Sequence, residues 1–394
     1  MLSVMPVPAR DRVEACTLRI QWPVALKVRL HKRQDGLCTD HIRTAMGLTL
    51  PNSACTPAEH PRKLRECEKA AKAIRVCMER DITPSKLLTR EAFLNALVVL
   101  MALGGSTNAV LHLLAMAGSA NVPLTLEDFQ DQSNKIPVLA NLKPSGEYLV
   151  ADLYDIGGTP SIFKFLIECK LLNGDILTVT GETLRKNVEN APVLDPGQKI
   201  IRPLENPMKA TGHIEILTGN IAPGGAVAKI TGKEGLEFTG KALVFNKEHE
   251  LDDALNAGKI PTVGNYVLVV RYEGPKGGPG MPEQLKASAA IMGAGLKNIA
   301  LITDGRYSGA SHGFIVGHIC PEAAVGGPIA VIENGDEITI NATTNRIDMK
   351  VPDEEIKRRL TKWAVPVAPV TRGVLGKYAR LVGDASHGAM TDLF

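Results

Sequence analysis

Aromatic side chains are scarce in this sequence, with 8 Phe, 6 Tyr and 2 Trp among 394 residues. That scarcity leaves no stacking platform for single-stranded nucleic acid, and the core has to be assembled from Leu, Ile, Val and Ala. A bias of charge is missing too. The 45 Lys and Arg against 42 Asp and Glu leave a formal net charge of +3, without the electrostatic signature of a nucleic-acid or anionic-membrane binder. No run reaches the ~18–20 apolar residues that span a bilayer. The most apolar stretch, Ala92 to Leu103, is interrupted by Asn95 and closed by Gly104-Gly105, and it reads as a buried helix. The seven cysteines (Cys16, Cys38, Cys55, Cys67, Cys77, Cys169 and Cys320) include no pair at Cys-x-x-Cys spacing. The pattern suggests neither a disulfide framework nor a zinc ribbon, and a reducing intracellular compartment is expected.

What is present is an ordinary globular composition, 44% hydrophobic, with 37 Gly and 25 Pro marking many loops. The length suits two domains with proper cores. The first 39 residues form a divergent tail, and residues 1–34 of it are rich in Arg and Lys with only Asp11 and Glu14 against them. A transit peptide has that balance, so a mitochondrial destination stays open beside a cytoplasmic one. The tail lacks the serine content and helical period of such a peptide, and an irregular terminus is an equal reading.

From Pro57 to Gly174 the apolar residues recur at three- and four-residue steps, predicting helices over Ala58 to Arg80, from Thr89 to Gly104, and over Asn108 to Ala117. Thr159-Pro160 is a cap-and-proline start signal for another. The composition changes near Pro192 to Pro207. Beyond it come short β-branched runs between turns: Val227 to Ile230, Tyr266 to Arg271, Ile299 to Thr303, Ile329 to Ile332, Glu337 to Ile340 and Ile347 to Val351. This spacing predicts a β-rich, barrel-like domain over residues 200–365. Helices are predicted over Glu283 to Met292 and from Pro352-Asp353, and residues 366–394 read as a tail packing back on the first domain.

Chemistry concentrates in Asn298 to Gly313, NIALITDGRYSGASHG. An apolar strand runs into Asp304-Gly305, and the loop beyond offers Arg306, Ser308, Gly309 and Ser311. The hydroxyls of Ser308 and Ser311, with backbone exposed at the glycines, suit close contact with a small ligand. Arg306 reads equally as a fork for a substrate carboxylate and as a structural ion pair. Gly274 to Glu283, GPKGGPGMPE, is Gly-rich but lacks the Gly-Lys-Ser/Thr of a phosphate loop. Its Glu283 is a carboxylate suited to a hard cation such as Mg²⁺, against the plainer reading of a surface acid. In GGSTN, Gly104 to Asn108, the side chains of Ser106, Thr107 and Asn108 could bind an anion at a helix amino terminus, but simple helix capping is the stronger reading. His312 and His318 are read as hydrogen-bonding residues rather than metal ligands.

These segments together carry a resemblance. MALGGSTNAVLHLLA, LKPSGEYLVADLYDIGGTP, GDILTVTGETL, IIRPLENPMKATGHIEIL, EGPKGGPGMPE and HGFIVGHICPEAAVGGPIAVIENGD stand in order between Met101 and Asp336. In them the chain resembles the dihydroxy-acid and phosphogluconate dehydratase family, the first branch more closely. The resemblance covers the chain from about Asp40 onward. It implies an α/β protein with an amino-terminal α/β/α-type domain, whose remnant here is residues 40–190, and a carboxy-terminal barrel-like domain. The implied reaction removes water from a 2,3-dihydroxy carboxylic acid to give a 2-keto acid in the biosynthesis of valine, isoleucine and leucine. It further implies Mg²⁺, an iron–sulfur cluster of the 2Fe–2S kind, and a homodimer. By motif, Ser308 would be the base, Glu283 a Mg²⁺ ligand, and Gly309, Ser311 and Arg306 would meet the substrate.

The chain departs from the pattern in one respect. The family's Cys-Asp-Lys/Gly motif followed by Pro-Gly, and its later Gly-Ala-Cys-Gly-Gly, are not found, so no cluster ligands are identified. Cys38 in GLCTD is out of register with them. A truncated chain is therefore expected. A non-catalytic paralogue acting as a binding partner is one alternative, and a sugar-acid dehydratase is another.

Overall fold

The computed structural model describes residues 34–392 apart from 58, 59, 144, 233, 234, 294, 297, 309–312 and 369. The side chains of 34–39, 287 and 292 also lie outside the description. Residues 1–33 of the basic tail therefore fall outside it, as do Gly309, Ser311 and His312 of the serine loop.

The helical half supplies α1 (Gln34–Ala45), α2 (Arg62–Glu79), α3 (Arg90–Ala102), α4 (Asn108–Ser119), α5 (Leu126–Lys135) and α6 (Gly158–Glu168). Helix α3 is the predicted buried helix, with Phe93, Leu97, Leu100 and Met101 fully enclosed. Thr89 caps it, its hydroxyl accepting from the Ala92 N–H at 3.3 Å. The polar interruption has a purpose: Asn95 donates to the Asn173 carbonyl and accepts from its N–H, each at 2.8 Å. Both backbone groups of Asn173, in the turn after α6, are satisfied by one buried amide. Helix α6 begins at Gly158, one residue before Thr159, and its cap is Gly157 at a φ of 103°. Thr159 thus lies inside the first turn and its hydroxyl is used elsewhere. Among the described residues no helix is long and apolar enough to cross a membrane.

The chain divides into two compact units. One holds the chain up to Val99 together with Tyr148–Ile201, and the other holds Leu100–Glu147 with Arg202–Phe394. The second unit is built on strands β1 (Ile214–Leu217), β2 (Ala226–Lys229), β3 (Glu237–Phe245), β4 (Tyr266–Val270), β5 (Glu283–Gln284), β6 (Ile299–Thr303), β7 (Arg306–Tyr307), β8 (Phe314–Gly317), β9 (Glu337–Asn341) and β10 (Arg346–Met349). Eight of them form one sheet in the order β1-β2-β8-β6-β4-β3-β9-β10. Thr218, just past β1, accepts from Ile347 N and donates to Asn345 O, both at 2.9 Å, bringing the two edge strands together. The result is a nearly closed barrel, as expected from the strand spacing.

The four central strands, β3, β4, β6 and β8, run parallel. Such strands are covered on both faces and read as unbroken apolar runs, which is why YVLVV and IALIT show no alternation. Their side chains are nevertheless sorted with a period of two. Val267 and Val269 face the interior with Ala300, Ile302 and Val316. Leu268 and Val270 face outward with Leu301, against Leu251 of α7 (Glu248–Asn256) and Ile291 of α8 (Lys286–Gly293).

Two expectations change, and β3 is a strand that was not among them. Ile329 to Ile332 is not a strand but a 3₁₀ turn over Pro328–Val331. Pro328 has no N–H for a ladder, and the turn's apolar residues join the barrel core instead. Strand β3, nine residues long with a mixed burial pattern and Gly240 at its middle, carries too weak an alternation to be read in advance. The single helix expected over Glu283 to Met292 splits into β5 and α8. Helices α9 (Asp353–Lys362) and α10 (Gly373–Leu381) complete the unit. After them Gly388 and Met390 pack on Ala115 and Gly118 of α4.

Candidate active site

Ligands of open α/β sheets sit beyond the carboxyl ends of parallel strands, and both motif loops leave from there. Strands β4 and β6 are neighbours with Val270 paired to Thr303. The Gly-rich loop therefore starts beside the serine loop. Asp304 joins them. It is fully buried, and its carboxylate accepts from Tyr272 N at 3.0 Å, Glu273 N at 2.9 Å and Ala323 N at 2.8 Å. Burial pushes its carboxyl up, while the three amides pull the other way. A residue that reads as a turn signal is the tie between three loops. Gly305 is required beside it, because a Cβ there would meet Glu273 and Gln284 at 2.8 Å.

Downstream the two loops meet again as a small parallel ladder. Glu283 pairs with Arg306 and Gln284 with Tyr307. The Ser308 N–H continues it, donating to the Gln284 carbonyl at 3.1 Å. Ser308 is buried and Tyr307 behind it is more so. Glu283 and Arg306 share a face, with Nη1 3.9 Å from Oε1. Arg306 Nε is held by the Met281 carbonyl at 2.6 Å. Three of the predicted site residues, Ser308, Glu283 and Arg306, thus stand on adjoining positions of one ladder, while Gly309 and Ser311 lie outside the described residues.

A fourth residue joins them in a role other than the cap or anion binder it resembles in sequence. Asn108, at the start of α4, donates through Nδ2 to Glu283 Oε1 at 2.8 Å and to the Tyr307 carbonyl at 3.3 Å. Capping, the stronger local reading of GGSTN, survives only in part: Ser106 Oγ accepts from Asn108 N, and the Thr107 side chain makes no cap bond. His213 holds the same loop, its Nε2 2.6 Å from the Gly105 carbonyl. His318 differs from its expectation as a satisfied residue, because neither ring nitrogen has a hydrogen-bond partner among the described residues although the side chain is buried. Burial, with the Arg306 charge next, lowers its pKa to about 3, which favours the neutral imidazole, while the backbone N–H of His318 donates to the Gly305 carbonyl at 2.8 Å.

Glu322 completes the acidic interior. It accepts from Lys276 N and Gly277 N of the Gly-rich loop, at 2.8 Å each. Burial raises its pKa to about 7, helped by the Asp304 charge and opposed by the two amides. A folded-state pKa above the unfolded one gives stability that is complete below about 4.5 and is lost as pH rises through about 7. His213 and His318, held neutral mainly by burial down to about 3, tilt the profile the opposite way between about 3 and 6.5. The difference between the native chain and Glu322→Gln therefore isolates the carboxyl. Urea midpoints from pH 5 to 8 should fall more steeply for the native chain than for the variant, and parallel profiles would remove Glu322 from the balance.

The expected metals find no ready site. Among the described residues no group of three or more His, Cys, Asp or Glu side chains is placed to hold a metal ion. Glu283 is one carboxylate, already bonded to Asn108 and close to a guanidinium. Cys320, the buried cysteine of this unit, has its thiol pushed up to about 12 by burial, the opposite of a cluster ligand. The described residues do not fit Mg²⁺ or an iron–sulfur cluster as complete sites.

Comparison with known proteins covers both halves. A family model for the dihydroxy-acid/6-phosphogluconate dehydratase amino-terminal domain matches residues 39–187, and the carboxy-terminal one matches 199–389. The dihydroxy-acid dehydratase of Flavobacterium psychrophilum is 55% identical over 349 residues, covering 88% of this chain and 62% of its own length. The chloroplastic dihydroxy-acid dehydratase of Arabidopsis thaliana is also 55% identical, over 88% of this chain and 57% of its own. A mitochondrial relative from Aspergillus fumigatus is 55% identical over 356 residues, 59% of its length. The chain spans about three fifths of the length of these curated relatives, 57 to 62%.

Proposed function

The chain belongs to the dihydroxy-acid/6-phosphogluconate dehydratase family, and on that premise we propose that it acts in the dehydration of 2,3-dihydroxy carboxylic acids to 2-keto acids, as a hydro-lyase of branched-chain amino-acid synthesis. The observation that carries this reading is the β5–β7 ladder, which gathers Glu283, Arg306 and Ser308 at the carboxyl end of parallel strands. In the reaction a proton leaves C2, the hydroxyl leaves C3 as water, and the resulting enol tautomerises to the keto acid. Ser308 Oγ would take the C2 proton, and the Arg306 guanidinium would hold the substrate carboxylate in a fork. A serine hydroxyl is a weak base until positive charge favours its alkoxide. Arg306, two residues earlier, is a cation this chain contributes. Asn108 would fix the Glu283 carboxylate, and the buried walls formed by Tyr307 and Gln284 would keep water away.

The family reading adds Mg²⁺ at Glu283, an iron–sulfur cluster as Lewis acid, and a homodimer. The relatives include bacterial, mitochondrial and chloroplastic proteins, and an intracellular setting follows from the same reading. The test is direct. The chain, prepared anaerobically with iron, sulfide and Mg²⁺, should form a 2-keto acid from 2,3-dihydroxy-3-methylbutanoate, detected as its hydrazone, and none from gluconate. Turnover of the sugar acid alone would transfer the activity to the other branch, and no keto acid from either would overturn the proposal.

A further inference from the structure

The first unit contains a nucleophile that the dehydratase reading does not use. Cys55 lies in the turn that follows α1, and it is 4% exposed. Its Sγ is 3.1 Å from Nε2 of His41 on α1, itself buried, and 3.0 Å from Oγ1 of Thr159 in the first turn of α6. A buried thiol ordinarily becomes harder to ionise. Here burial is the largest influence and acts in that direction, yet the His41 charge, the His41 and Thr159 side-chain bonds and the Thr159 backbone N–H together outweigh it. The thiol is lowered. Two other cysteines behave differently: burial raises both Cys77 and Cys320, the latter to about 12. Cys67 is exposed on α2.

Three elements build this arrangement. Helix α1 brings the imidazole, the first turn of α6 brings a hydroxyl and an amide, and the turn over residues 51–56 brings the sulfur between them. Gly158 allows the approach, because its Cβ position lies 2.4 Å from Asn52 Oδ1 and 3.5 Å from Cys55 Cβ, at a φ of 69°. Pro51, Asn52 and Ser53, in the same turn, are partly exposed. The sulfur itself is buried, so a reagent meets it only when the turn opens, which admits a small peroxide before a bulky one.

We propose that Cys55, His41 and Thr159 form an oxidation site for small hydroperoxides, separate from the dehydration chemistry. The Cys55 thiolate attacks one peroxide oxygen and forms an S–O bond as the O–O bond breaks. The departing hydroxide takes a proton from the His41 imidazolium and leaves as water. Sulfur is oxidised to sulfenic acid, the peroxide is reduced, and Thr159 donates to the negative sulfur throughout. The added oxygen has no room at contacts of 3.0 and 3.1 Å, so oxidation displaces the turn from α6.

The test treats the intact chain with a slight excess of hydrogen peroxide, traps sulfenic acid with dimedone, and locates it by peptide mass spectrometry. Cys55 should be labelled several-fold faster than the exposed Cys67, in protein whose melting curve shows it folded. His41→Gln should slow labelling of Cys55 about tenfold while Cys67 keeps its rate. Thr159→Val, of the same shape, should slow Cys55 several-fold and serves as the second variant should His41→Gln fail to fold. Labelling of Cys67 ahead of Cys55, or a Cys55 rate unmoved by both variants, would overturn the proposal.

Discussion

Asp304→Ala is expected to destabilise the carboxy-terminal unit severely. The substitution removes the acceptor for three backbone N–H groups, those of Tyr272, Glu273 and Ala323, at 2.8 to 3.0 Å. Each stranded buried donor costs ~1–3 kcal/mol, so the total is about 3–5 kcal/mol once relaxation at the partly open Tyr272 is allowed for. Part of the loss is returned, because Asp304 is itself a buried acid that raises the pKa of Glu322. The net sign remains destabilising, since removing a charge without supplying other acceptors leaves the amides without partners. Asp304→Asn separates these effects. Its single side-chain oxygen accepts at most two of the three bonds, so its urea midpoint should fall between those of the native chain and the alanine variant. Alanine and asparagine variants that unfold together with the native chain would show that the three loops hold without this tie.

The second large effect concerns Ser308. In a preparation that forms keto acid, Ser308→Ala should lower kcat/KM by roughly 10²- to 10⁴-fold, the usual contribution of a positioned proton-transfer group. The ladder should survive, because the N–H of residue 308 still reaches the Gln284 carbonyl. The circular dichroism melt therefore serves as the control. Loss of turnover with an unchanged melt assigns the proton to the hydroxyl. Turnover retained within a factor of about three would refute the role.

The loops were legible before the structure because their signals are local. Ile299 to Thr303 is a strand of the same bounds in sequence and structure, and Gly305 beyond it marks backbone that packs too closely for a side chain. Helix α3 was legible for the same reason, including its Thr89 cap. Residues whose roles depend on a distant partner were not. Asn108 reads as a cap because its neighbours explain it, and its bond to Glu283 spans 175 residues. Asp304 reads as a turn former because its three amides belong to other loops. Pro328–Val331 was misread because a short apolar run is equally consistent with a strand or a tight turn on periodicity alone.

The sequence by itself determined the family, the β-rich barrel and the loop that carries Arg306 and Ser308, since period, turn chemistry and motif order are properties of neighbouring residues. Only the tertiary structure decided which side chains share a site. The parallel pairing of β4 with β6 places two loop starts side by side, and that adjacency puts Glu283 next to Arg306 and draws in Asn108. The same holds for Cys55, which is one of seven scattered cysteines in the sequence and becomes a poised thiol through His41 and through Thr159, 104 residues away. A pKa is set by what surrounds a group in space, and the spacing of residues along a chain does not contain that information.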